Sequence, residues 1–151
     1  MRTFEDVDAW KSAKELRNRI SVIVKEFPTH ERFELISQLK RTSRQVGNHI
    51  AEGYGKLQYQ ENINACKQAR GSLFETLDHM LIAHDEGYVN DLVMNDFREQ
   101  WAECVRLLNA YIAYIRRARN ARAEGYEQNE SSDYNEHSGH LRFSTSEFEQ
   151  E

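Results

Sequence analysis

Apolar residues recur at intervals of three and four in four successive blocks, each closed by a short polar break. The first block runs from about Phe4 to Phe27, with Val7, Trp10, Ala13, Leu16, Ile20, Ile23 and Phe27 tracing one helical stripe. Thr3, three residues before Asp6, has the form of a capping box. Pro28 closes this helix, because the residue before a proline is pushed away from helical angles. Thr29 is then placed to cap a second helix, with Glu31 favourable to its dipole.

The second block carries Ile36, Leu39, Ser43, Val46, Ile50 and Gly53 at near-heptad spacing. Ser43, Gly47, Ala51 and Gly53 make its face lean enough for a neighbouring backbone to come close, and Gly53-Tyr54-Gly55 reads as its C-terminal stop. A third helix, about Gln60 to Glu86, has Ile63, Cys66, Leu73, Leu77 and Met80 on its seam and ends at Gly87. Asn90 is placed to cap the fourth, with Val93, Phe97, Trp101, Cys104, Leu108, Tyr111 and Ile115 as its stripe. Connections this short between helices of similar length predict an all-α, antiparallel up-down-up-down four-helix bundle over residues 1–120. Residues 121–151 lose the periodicity and are expected to be an acidic, disordered tail; the less favoured alternative makes Leu141, Phe143 and Phe148 docking anchors for a partner.

Charge sharpens that division. Residues 1–120 hold 18 Lys/Arg against 17 Asp/Glu, whereas residues 121–151 hold 2 against 8. The net charge of −5 therefore belongs to the tail, and bulk charge does not argue against a nucleic-acid partner. No run of about 18 apolar residues is present, so no membrane span is expected. The opening Met1–Asp6 turns acidic at once, unlike a secretory leader, and Cys66 and Cys104 stand alone. Two buried thiols in the cytoplasm are the expectation.

Catalytic and metal chemistry is not suggested. A di-metal bundle needs Glu-x-x-His pairs, but Phe27, Val46, Thr76 and Leu81 stand three residues before His30, His49, His79 and His84. Gly55-Lys56 ends like a phosphate loop, yet Ile50 and Leu57 occupy the positions where that loop needs glycine and Ser/Thr. Neither a cofactor nor an enzymatic activity is expected.

Two features carry candidate chemistry. Lys40, Arg41 and Arg44 lie off the apolar stripe of the second helix, and with Lys56 and Gln58 they could form one basic strip that neutralises phosphates. The competing reading is an ordinary solvated helix face, and the two weigh evenly. Arg70 falls on the seam between Cys66 and Leu73, where an unpaired charge is costly. An internal ion pair with Glu52 is the favoured reading, and an arginine lining an oligomer surface or phosphate channel is the other. Tyr54, Phe74, Leu81, Val105, Ile112 and Tyr114 widen the stripes beyond one face per helix, which suggests self-association.

Gln38-Leu39-Lys40-Arg41, Ile50-Ala51-Glu52-Gly53-Tyr54-Gly55-Lys56, Ala69-Arg70-Gly71-Ser72-Leu73-Phe74-Glu75 and Gly87-Tyr88 follow one another with a family's spacing, after Phe4-Glu5-Asp6 and Trp10. Over residues 3–118 the chain resembles the bacterial four-helix-bundle proteins encoded in intervening sequences of 23S ribosomal RNA genes. These are related to the accessory proteins of diversity-generating retroelements. The resemblance implies a ring-shaped homopentamer without enzymatic activity. It further implies a basic surface that binds RNA or DNA, and a reverse transcriptase as partner in the retroelement members. Arg41 and Arg70 match basic family positions, and Glu52-Gly53 match the ending of the second helix. Gln45-Val46-Gly47-Asn48-His49-Ile50 stands where the family has Ser-Ile-Pro-Ser-Asn-Ile, which implies a straighter second helix with His49 in the asparagine's place. The alternative function is a protein-interaction scaffold that recruits a partner through its outer face or acidic tail.

Overall fold

The structure, a computed structural model, describes residues 3–130. Four α-helices make up most of it: α1 (Asp8–Ile23), α2 (Leu35–Gly55), α3 (Tyr59–Asp85) and α4 (Asp91–Glu130). No strand occurs among the described residues. Each helix buries a stripe in a common core, with Leu16 and Ile20, Leu39 and Ile50, Ile63 and Leu73, and Phe97 and Leu108 at or near zero exposure.

Helices α2 and α4 each contact both α1 and α3, which closes the bundle. Partners run in opposite order along neighbouring helices. Thr42 meets Thr76 while Gly53 meets Asn62, so the α2–α3 pair is antiparallel. Asn62 meets Tyr111 while Leu73 meets Trp101, and Ser12 meets Cys104 while Arg19 meets Asp96, so α4 runs opposite to α3 and α1.

The ends of the elements show what the local sequence does. Phe4–Asp6 forms a separate 3-10 turn, capped by Thr3 Oγ1 accepting from the Glu5 amide at 3.1 Å. Val7 then adopts an extended conformation before α1 begins, so the first apolar block is not one continuous helix. Thr29–Glu31 is also a 3-10 turn, and the cap of α2 comes from the Glu31 carboxylate, which accepts from the Leu35 amide at 3.1 Å. Thr29 lies a turn too early for that role. Gly87 (φ 78°) reverses the chain after α3, with the Tyr88 amide donating to the Ala83 carbonyl and the Gly87 amide to that of His84. Asn90 Oδ1 accepts from the Val93 amide at 2.9 Å and caps α4. Helix α4 continues past Asn120 to Glu130, so the first ten residues assigned to the tail are helical. The rest of that segment, including Leu141, Phe143 and Phe148, lies outside the described residues.

The lean face of α2 does what small residues permit. A Cβ on Gly53 would fall 2.7 Å from Asn62 Oδ1 and 2.8 Å from the Ala65 Cβ, so glycine is required for α2 and α3 to approach this closely. The left-handed residue after α2 is instead Leu57 (φ 56°). Gly47 faces Trp10 and the Arg17 guanidinium of α1. Nearer the start of α2, Thr76 Oγ1 donates to the Ser72 carbonyl (2.7 Å) and hydrogen-bonds Thr42 Oγ1 (3.0 Å), which satisfies two fully buried hydroxyls.

Replacing Gly53 by alanine therefore lowers the unfolding free energy by about 1–3 kcal/mol, despite alanine's better helix propensity. Gly71→Ala, whose added Cβ meets nothing within 4 Å, raises it by up to about 1 kcal/mol. Urea melts of the two variants check both signs. A stabilised Gly53→Ala would contradict the close approach.

Candidate nucleic-acid interface

The outward face of α2 follows from its inward one. With Leu39, Thr42, Ser43, Val46, Gly47 and Ile50 buried, helical geometry leaves Ser37, Arg41, Arg44 and Asn48 exposed on the opposite side. These residues line a groove of about 570 Å³ that runs back to the turn before the helix. Arg32, Lys40, Arg41 and Arg44 supply its charge, Ser37, Gln45 and Asn48 its neutral polar groups, and Phe33 and Ile36 its apolar surface. No acidic residue is among them. Arg41 Nη2 lies 3.6 Å from Glu75 Oε1 on α3, a half-exposed pair that leaves most of its charge facing water. Arg32, Lys40 and Arg44 form no ion pair among the described residues.

The groove thus joins three of the residues expected in the basic strip and separates the others. Lys56 sits at the C-terminal end of α2, twelve residues or about 18 Å along the axis from Arg44. Arg70 belongs elsewhere too. Ala69, not Arg70, is the fully buried seam residue, and Arg70 lies at the edge, where its Nη1 donates to Asn109 Oδ1 on α4 at 2.9 Å. The ion pair with Glu52 does not form. Gly53 lies level with Asn62 and Ala65, which puts Glu52 more than a helical turn from Arg70. Glu52 instead approaches His49, with 3.7 Å between Oε2 and Nδ1.

The groove's fourth cation and its exposed aromatic ring lie outside the helical pattern of the sequence. Arg32 and Phe33 fall in the turn before α2, outside any periodic block. Phe33 is 84% exposed, and the Arg32 guanidinium carbon sits 5.3 Å from its ring centroid. The available signal was an Arg-Phe pair stranded in an otherwise polar connection.

The widened apolar stripes turn out to be mostly internal. Ile112 is fully buried, and Tyr54, Leu81, Val105 and Tyr114 are partly buried against the core. Of the six, only Phe74 stands out, half-exposed and edge-on to Trp101 at 5.0 Å. Val22, Phe33, Leu57, Ile82 and Leu92 are the other exposed large apolar residues among those described.

His79 lies one turn from Glu75 on α3. Its Nε2 is 3.6 Å from the same Glu75 oxygen that faces Arg41, and neither ring nitrogen has a hydrogen-bond partner. Among the described residues no group of three or more His, Cys, Asp and Glu is placed to hold a metal ion. No described helix is long and apolar enough to cross a membrane.

An all-helical bundle with a cationic groove on the outer face of α2 is therefore the class of protein defined here. The 23S rRNA-intervening sequence protein family matches residues 5–110, and the chain belongs to that family. A comparison with curated proteins finds no match.

Both cysteines are free and buried, and burial pushes the Cys66 thiol up to about 12 and the Cys104 thiol up to about 11. Neither is a thiolate at neutral pH. Alkylation by iodoacetamide at pH 8 should leave both unmodified in the native protein and modify both in denaturant, as intact mass would show. Because both folded values are raised, the contribution of these two thiols to stability is full below their unfolded value of about 8.5 and is lost progressively as pH rises toward 11–12.

Proposed function

We propose that this protein is a non-enzymatic accessory protein that binds RNA or DNA through the outer face of α2. The observation that carries the reading is the groove of Arg32, Lys40, Arg41 and Arg44, with four cations and no acidic residue in its lining. Guanidinium and ammonium groups arrayed along one helix face neutralise successive phosphates, and each neutralised phosphate releases a counterion. Such a surface binds nucleic acid without reading its sequence. The net charge of the chain does not oppose this, because the excess acid lies in residues 121–151.

Binding to a structured RNA, and to DNA of matching length, is measured by fluorescence anisotropy between 50 and 300 mM salt. Affinity should fall steeply with salt, and Lys40→Ala/Arg41→Ala/Arg44→Ala should lower the logarithmic slope by about 2–3, at 0.7–0.9 per lost phosphate contact. Lys56→Ala and Arg70→Ala, whose side chains lie away from the groove, should change it by less than one contact. Affinity that ignores salt, or survives the triple substitution, would overturn the reading.

Assembly is part of the proposal. The resemblance to the ring-forming proteins supports a homopentamer working in the cytoplasm, with a reverse transcriptase as its enzymatic partner. Light scattering on the purified protein should then give a mass near five times the 17.8 kDa of one chain. A strict monomer at micromolar concentration would contradict the ring.

A further inference from the structure

We infer that the α2 groove takes a single strand, with one unpaired base stacked on Phe33 and the flanking phosphates held by Lys40, Arg41 and Arg44. This rests on the nucleic-acid reading and deepens it by naming the form of nucleic acid.

The chemistry of the two ends of the groove differs. At the α2 end, Arg41 and Arg44 stand one turn apart and Lys40 beside them, a row of donors suited to phosphate oxygens and indifferent to base identity. At the other end Phe33 presents its ring to water at 84% exposure, the highest value of any large apolar side chain described. Arg32 lies over the ring, its guanidinium carbon 5.3 Å from the centroid, which leaves the opposite face open. A planar base fits that face, and the cation behind the ring favours a stack of this kind.

A duplex has no use for this ring, because its bases are already stacked on one another and only their edges are exposed. A single strand supplies both things the groove asks for: a free π-face for Phe33 and a phosphate chain for the row beyond it. No acidic residue lines the groove itself. Glu31 is committed to the Leu35 amide and the Tyr88 hydroxyl, Glu75 faces Arg41 from α3, and Glu34 lies outside the groove lining.

The experiment compares a ten-nucleotide RNA, unpaired and as a duplex with its complement, against the full-length protein and its Phe33→Ala and Phe33→Trp variants. The wild type should prefer the unpaired strand. Phe33→Ala should weaken that binding about tenfold, in line with the loss of one base–aromatic stack, and change duplex affinity by less than twofold. Phe33→Trp should keep the preference and add a strand-dependent quenching of fluorescence absent from the wild type. A thermal melt of Phe33→Ala superimposable on the wild type rules out loss through unfolding. If strand and duplex bind equally and Phe33→Ala affects neither, the stacking inference fails while the basic groove stands. If neither form binds, the nucleic-acid reading itself fails. If a protein competes for the groove but no oligonucleotide does, both are replaced by a docking role.

Discussion

The close approach of α2 to α3 sets the form of this bundle. It depends on Gly53, which leaves room for Asn62 and Ala65, and on the Thr42–Thr76 hydroxyl pair further along. A helix that gives its inward face to small residues must put its long side chains elsewhere. On α2 those side chains are Lys40, Arg41 and Arg44, and the only free surface faces outward. The cationic groove is therefore a consequence of tight helix packing as much as of charge.

The helices themselves were legible in the sequence, because each has a stripe of large apolar residues at helical spacing. The breaks at Pro28, Gly87 and Asn90 also followed from local chemistry. What was not legible was the rotation of α3. Large side chains at Ile63, Cys66, Leu73 and Leu77 draw a stripe that includes position 70, but the buried face turns toward Ala69, Thr76 and Ala83. Alanine and threonine carry little hydrophobic signal, and Thr76 reaches the interior only because the Ser72 carbonyl and the Thr42 hydroxyl await it. One step of rotation moved Arg70 from a costly core position to an edge where an asparagine suffices.

The cap of α2 and the mouth of the groove were missed for a related reason. Both lie in the turn between Pro28 and Leu35, where periodicity is silent and contacts decide the outcome. Glu31 reaches both the Leu35 amide and the Tyr88 hydroxyl, tying the start of α2 to the turn after α3. That tie places Arg32 and Phe33 on the groove side. Single-sequence reasoning found three of the four cations in the groove because a helix carries them, and missed the fourth because a turn does.

The Thr42–Thr76 pair has one further consequence, which concerns the bundles this sequence avoids. Apolar stripes alone let two helices slide past one another by a turn, since leucine against isoleucine is nearly as good as leucine against leucine. A slide of α2 along α3 by one turn, about 5.4 Å, would part Thr42 from its hydroxyl partner, while Thr76 would keep its own bond to the Ser72 carbonyl. A hydroxyl buried without a partner costs about 1–3 kcal/mol, so a displaced pairing would be penalised at Thr42. The two hydroxyls work as a latch on axial alignment, and through it they decide which cations end up side by side.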